Sequence, residues 1–147
     1  MADTTNSRLQ RLEDLQAIQQ LFIEYGNFLD AGDFDSYSKL FAKEGEAMMG
    51  PMGRAKGPEA IKELMTRAIG NDVGKGYHLI TSPIVKLDGD TASSEVMWSV
   101  ISRGADGNPV LTMMGRHKDD LVREDGQWKF LRRKGFVDIP STFRKVD

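Results

Sequence analysis

The chain contains no cysteine. Disulfides, thiol nucleophiles and cysteine-based zinc sites are therefore excluded, and a cytoplasmic location is expected. Histidine is scarce, with only His78 and His117. A zinc site would need both of them and a carboxylate, and their separation matches no recognisable ligand spacing, so no metal is expected. An excess of positive charge is also missing. The formal net charge is -2 and the sequence pI about 5.7, which leaves no electrostatic footprint for nucleic acid. No run approaches 18 apolar residues, so no membrane span is expected. The opening Met1-Ala2-Asp3-Thr4-Thr5-Asn6 lacks the basic start and apolar stretch of a signal peptide. Repeats, linkers, low-complexity tracts, a Gly-x-Ser-x-Gly elbow and a phosphate loop are all absent.

What is present suits one soluble domain over residues 1–147, with a core over about 8–136. Hydrophobic residues make up 39% and charged residues 29%, ordinary for a globular protein. A chain of this length buries roughly 68–70% of its unfolded surface, enough for a core that contains a pocket.

The first half has helical periodicity. Leu9, Leu12, Leu15, Ile18, Leu21, Phe22, Tyr25 and Leu29 recur at three- and four-residue steps, which places them on one face. Asn6 or Ser7 can cap this helix, and Gly32 ends it. A short helix is predicted over 34–41 with Asp33 as its cap, then a strand over 44–49 and a loop at Gly50-Pro51-Met52-Gly53. Gly57-Pro58-Glu59 opens a third helix, with proline at a position where its missing N–H costs nothing.

The second half changes period. Asp88-Gly89, Asp106-Gly107 and Asp125-Gly126 separate strand-like stretches over 77–87, 91–102, 110–123 and 127–136. Asp-Gly supplies the positive φ angles of tight hairpins, so these four form an antiparallel meander. Strands this long predict a strongly curved sheet. Helices followed by a sheet give an α+β fold with the helices on one face. The segment after Val137 fits neither pattern.

Chemistry centres first on His78. It opens Tyr77-His78-Leu79-Ile80-Thr81-Ser82-Pro83-Ile84-Val85, a strand that reads as entering a core. A histidine in that setting is either a hydrogen-bonded core residue or a base whose pKa is set by burial and a carboxylate partner. Asp30 lies in the last helical turn, where an anion costs roughly a few tenths of a kcal/mol unless it is compensated. It either begins the turn Asp30-Ala31-Gly32-Asp33 or orients His78, and spacing alone does not join the two.

Tyr25 sits five residues before Asp30, about 140° round the helix. Both line one pocket only if it wraps the helix end; otherwise Tyr25 is a core aromatic. His117 lies among charges in Gly115-Arg116-His117-Lys118-Asp119-Asp120 and reads as half-exposed. Strand alternation sets Arg133 opposite in direction to Arg132, so Arg133 can point inward. Met48, Met49, Met52, Met97, Met113 and Met114 cluster in strands and one loop, as a core or as a loose apolar pocket. Met49, Trp98 and Met113 are the expected pocket residues, with Tyr25, His117 and Arg133.

Several stretches carry a resemblance: Tyr25-Gly26-Asn27-Phe28-Leu29-Asp30, Lys56-Gly57-Pro58-Glu59-Ala60-Ile61, His78-Leu79-Ile80-Thr81-Ser82, Gly115-Arg116-His117-Lys118-Asp119 and Asp125-Gly126-Gln127-Trp128-Lys129-Phe130. Over roughly residues 8–133 the chain resembles SnoaL-like proteins of the nuclear transport factor 2-like superfamily. That resemblance implies a cone-shaped α+β barrel, with helices packed on a strongly curved mixed sheet. Scytalone dehydratase, bile-acid 7α-dehydratase and hexachlorocyclohexane dehydrochlorinase belong to the superfamily. Each pairs an aspartate ending the first helix with a histidine heading this strand, which implies a catalytic dyad of Asp30 and His78 here.

The chain departs from each enzyme. The bile-acid enzyme matches Tyr25, but its further acid falls among Met97-Trp98-Ser99-Val100, which holds no carboxylate. The dehydrochlorinase has lysine in place of Tyr25, while its strand arginine matches Arg133. The second histidine of scytalone dehydratase falls near Met114, out of register with His117, and many relatives have tyrosine in place of His117.

The resemblance implies a cofactor-independent lyase or isomerase acting on a small hydrophobic or cyclic molecule, and a homodimer or homotrimer. The alternative on the same fold is a non-catalytic binding or assembly module, like a dioxygenase small subunit.

Overall fold

The computed structural model describes residues 4–140. Met1-Ala2-Asp3, part of the leader-free reading, and the tail beyond Pro140 lie outside them.

Helix α1 spans Thr5–Ala31. Its cap is Thr4, two or three residues before the Asn6 or Ser7 expected, and the Thr4 side chain accepts from the Ser7 amide at 3.1 Å. Gly32 ends the helix in the left-handed conformation at φ 70°, as its position after Leu29 implies. The predicted apolar stripe is buried only from its middle onward. Ile18, Leu21, Phe22, Tyr25 and Leu29 are buried, whereas Leu9 and Leu12 are exposed. The reason is that α1 packs against the sheet mainly through its second half.

Helix α2 (Phe34–Ser38) is shorter than predicted, with Asp33 capping it through the Ser36 amide. Phe41 starts strand β1 (Phe41–Met48) rather than ending α2. A short strand β2 (Arg54–Lys56), not foreseen from sequence, pairs with β1. Helix α3 (Pro58–Ile69) begins at Gly57-Pro58 as predicted.

Four long strands follow: β3 (Gly76–Asp88), β4 (Thr91–Arg103), β5 (Pro109–Glu124) and β6 (Gln127–Ile139). They form the expected antiparallel meander. The sheet order is β2-β1-β6-β5-β4-β3, and β1 runs parallel to β6, so the sheet is mixed. The architecture is α+β, as the sequence indicates. Asp125-Gly126 is a two-residue turn with both φ positive, at 52° and 78°. At Asp88-Gly89 only the glycine takes positive φ; Asp88 is still paired, to Thr91. Asp106-Gly107 lies in a longer loop over 104–108.

Register shifts between Thr81 and Ile84, Val100 and Ile101, Met114 and Gly115, and Asp120 and Leu121 bend the sheet. β3 is an edge strand, not the core strand its apolar composition suggests. Tyr77, Leu79 and Ile84 are exposed on it, and the edge tolerates Pro83 inside the strand. The helices cover the concave face, and the core between them includes Ile18, Phe22, Tyr37, Phe41, Val96 and Phe130. Among the described residues, no helix is long and apolar enough to cross a membrane.

Candidate active site

The last turns of α1 lie against β3, and Gly26 sets the spacing. A Cβ at Gly26 would stand 3.1 Å from the His78 carbonyl oxygen, so a side chain there would press against β3. One turn later Asp30 reaches the strand. Its Oδ1 is 2.7 Å from His78 Nδ1, and the backbone N–H of His78 donates to Oδ1 at 2.9 Å and to Oδ2 at 3.1 Å. The anion at the helix C-terminus is compensated by an amide as well as by the imidazole.

An ionised carboxylate only accepts hydrogen bonds. In a neutral ring the short contact therefore places the proton on Nδ1 and the lone pair on Nε2. Both side chains are largely shielded, His78 27% and Asp30 18% exposed.

His78 lines a cavity of about 710 Å³ between α1, α3, the Gly50–Met52 turn and the concave side of β3–β6. That volume is in the range that holds drug-sized ligands. Tyr25, Met49, Trp98, Met113 and His117 line it too, as the sequence suggests. Asp30 does not; it reaches the site only through His78. The 140° between Tyr25 and Asp30 is thus accommodated, since one faces the cavity and the other stands behind its base.

His117 corrects an expectation. It is buried, 6% exposed, rather than half-exposed. Along β5 it shares the inward face with Asp119 and Leu121, and its charged neighbours Arg116 and Lys118 point out over Phe136. Burial, reinforced by the charge of Arg133 and by His78, holds its pKa well below 6.5.

Arg133 points inward, but it does not line the cavity. Its side chain is fully buried and binds Asp119 in bidentate fashion, Nε to Oδ1 at 2.7 Å and Nη2 to Oδ2 at 3.1 Å. Ser94 Oγ donates to the same carboxylate at 2.8 Å. The guanidinium carbon stands 4.2 Å from the centre of the Tyr25 ring and 4.1 Å from that of Phe130. Arg133 is thus the support beneath Tyr25, not a group facing a ligand.

Tyr37 and Asp119 are site components that sequence reasoning missed. The Tyr37 hydroxyl donates to the Tyr25 hydroxyl at 3.1 Å, with both rings buried. Burial raises the pKa of Tyr25, with the Arg133 charge opposing, so Tyr25 keeps its proton at neutral pH. Asp119 had a signal: period two sets it on the same face as His117. Tyr37 had none beyond its place in an amphipathic turn.

A family model for the SnoaL-like domain matches residues 10–134. The chain belongs to the SnoaL-like family. The uncharacterized protein Rv2910c of Mycobacterium tuberculosis is 28% identical over 133 residues, covering 89% of this chain and 90% of that one. An NTF2-like protein with a cystatin-like fold from Novosphingobium aromaticivorans superposes with a TM-score of 0.83 at 27% identity, covering 97% and 95% of the two chains. A type 2 hexachlorocyclohexane dehydrochlorinase (LinA) superposes with a TM-score of 0.79 at 22% identity, covering 90% of each. At that identity the second structural likeness is one of fold.

Proposed function

We propose that this SnoaL-like chain is an enzyme in which His78 acts as general base on a small hydrophobic or cyclic molecule. The observation that carries the reading is the 2.7 Å contact between His78 Nδ1 and Asp30, made at the wall of an apolar cavity. Asp30 fixes the tautomer, so Nε2 offers its lone pair to a bound C–H group. The imidazolium that results is balanced by the carboxylate. Geometry of this kind contributes typically about 10²–10⁴-fold to a proton transfer.

Tyr25 is the proton donor in this scheme. Its oxygen accepts from Tyr37, which leaves its own proton to be given to a ligand oxygen. In an elimination His78 removes the carbon-bound proton, the electron pair forms the C=C bond, and the leaving hydroxyl departs as water with the Tyr25 proton. In an isomerisation the imidazolium returns its proton to a second carbon. Dehydratase-like lyase chemistry is the preferred outcome, and neither route calls for a cofactor.

Thermal-shift screening of steroids, terpenoids and aromatic polyketides identifies the ligand, and turnover is then followed in wild type, His78→Ala and Asp30→Asn. Loss of turnover in both variants with ligand binding retained is the expected result. Unchanged turnover in either overturns the mechanism. A ligand recovered chemically unchanged from the wild type points to the binding-module alternative.

A further inference from the structure

Two polar groups in the cavity wall have no role in the scheme above. Trp98 Nε1 and His117 Nδ1 are both buried, and neither has a hydrogen-bond partner among the described residues. Buried donors and acceptors are nearly always paired, so two orphans on residues that line one cavity call for polar partners that a ligand there can supply. The two belong to one cluster. The indole and imidazole stack with ring centres 5.9 Å apart and planes 30° apart, and Tyr25 meets His117 edge-on at 5.4 Å.

The fold holds this cluster in place. The indole lies across Gly115, where a Cβ would come within 2.5 Å of its Cζ2 atom. His117 is opposite Gly135 on the neighbouring strand, where a Cβ would stand 3.4 Å from both the imidazole and Met49 Sδ, an ordinary packing distance.

We propose that Trp98 and His117 form a subsite for a neutral oxygen of the bound molecule, so that the ligand is a compact ring system carrying a ketone or hydroxyl group. The inference rests on reading this cavity as the ligand site, but it does not require His78 to act as a base. The indole N–H can only donate, which calls for an acceptor. Nδ1 of a neutral imidazole donates in one tautomer and accepts in the other, so it can meet a carbonyl or a hydroxyl group. His117 stays neutral at pH 7 because burial and the nearby Arg133 charge disfavour its cation. Arg133 pairs with Asp119 through Nε and Nη2, its Nη1 is buried without a partner, and it does not line the cavity; Asp30 stands behind His78. A carboxylate would thus find no cation at this wall, and a plain hydrocarbon would leave the two polar groups unpaired.

The test uses 2-naphthol, naphthalene and 2-naphthoate as probes with the full chain, followed by titration and by the indole N–H signals in NMR. The other indole, Trp128, donates to Asp14 at 3.1 Å and serves as the internal reference. The expected result is that 2-naphthol binds at least tenfold tighter than either other probe and moves the Trp98 N–H signal while that of Trp128 stays. His117→Phe should reduce this preference over naphthalene to threefold or less, and His117→Gln, which keeps a donor and an acceptor, should retain it. Trp98→Phe should weaken 2-naphthol binding more than naphthalene binding. The inference is overturned if 2-naphthol shows no preference, if His117→Phe or Trp98→Phe keeps the full preference while folded, or if no probe moves the Trp98 signal. A failure of the general-base reading appears in turnover, whereas a failure of this one appears in the probe preference.

Discussion

Asp30 receives two hydrogen bonds from one residue, the ring Nδ1–H and the backbone N–H of His78. The carboxylate therefore ties the end of α1 to the edge strand and orients the imidazole at the same time. Asp30→Ala removes both acceptors. A largely buried donor left unpaired costs about 1–3 kcal/mol, and urea denaturation should show a loss of that order. The variant should also shift the His78 ring toward the Nε2–H tautomer, read from ¹⁵N imidazole shifts. An unaltered tautomer would mean that Asp30 does not set it.

Gly115 is the seat of the Trp98 indole. An added Cβ there meets both the Phe136 carbonyl oxygen and the indole ring, and the backbone oxygen cannot rotate away. Gly115→Ala should destabilise the protein by about 1–3 kcal/mol, the usual cost of overpacking. It should also change the Trp98 fluorescence, whereas Gly107→Ala, at a glycine with open space around it, should leave that emission alone.

The depressed pKa of His117 makes a prediction about acid stability. Its folded value lies well below 6.5, chiefly through burial, while the unfolded chain takes up the proton near 6.5. Between these two values the unfolded state binds more protons, so stability falls as pH is lowered through that window. One such site contributes a slope of at most about 1.4 kcal/mol per pH unit. Urea midpoints measured from about pH 7.5 to 5 should fall less steeply for His117→Gln than for wild type. Equal slopes would show that His117 is not buried neutral.

Arg133 and Asp119 should behave as a coupled pair. Both side chains are fully buried, and removing one strands the charge of the other. Arg133→Ala should cost about 3–5 kcal/mol by that mechanism. A double replacement, Arg133→Leu with Asp119→Leu, should cost less than the sum of the single changes, because no charge is then stranded. A double-mutant cycle by chemical denaturation reads the coupling directly, and additive losses would contradict the pairing.

Much of the fold was legible because its signals are local. Gly32 after an apolar helical stripe, Asp33 before Phe34 and Gly57-Pro58 before α3 each fall where the chain turns. Asp125-Gly126 marks its hairpin for the same reason, since a turn depends on the φ angles of two residues. The residue types at Asp30 and His78 could be singled out as awkward in their places, but their contact could not, because 48 residues separate them. Family resemblance supplied that pairing.

The missed features depend on register. A slip of one residue turns every side chain of a strand to the other face, and the β5–β6 pairing carries two register shifts that no residue type announces. His117 was accordingly read as half-exposed from its charged neighbours, and Arg133 was assigned to the ligand rather than to Asp119. The apolar run after His78 suggested a core strand, although the strand order leaves β3 at the edge. Tyr37 reaches Tyr25 only because α2 folds back against α1.

By itself the sequence determined the order of elements, the caps and tight turns, and the scarcity of titratable rings that singles out His78. These follow from backbone preferences and periodicity over a few residues. Tertiary structure alone decided which groups meet. It placed His78 on Asp30, turned His117 and Trp98 inward with unpaired nitrogens, and committed Arg133 to Asp119, because such contacts depend on strand register and helix docking across the whole chain.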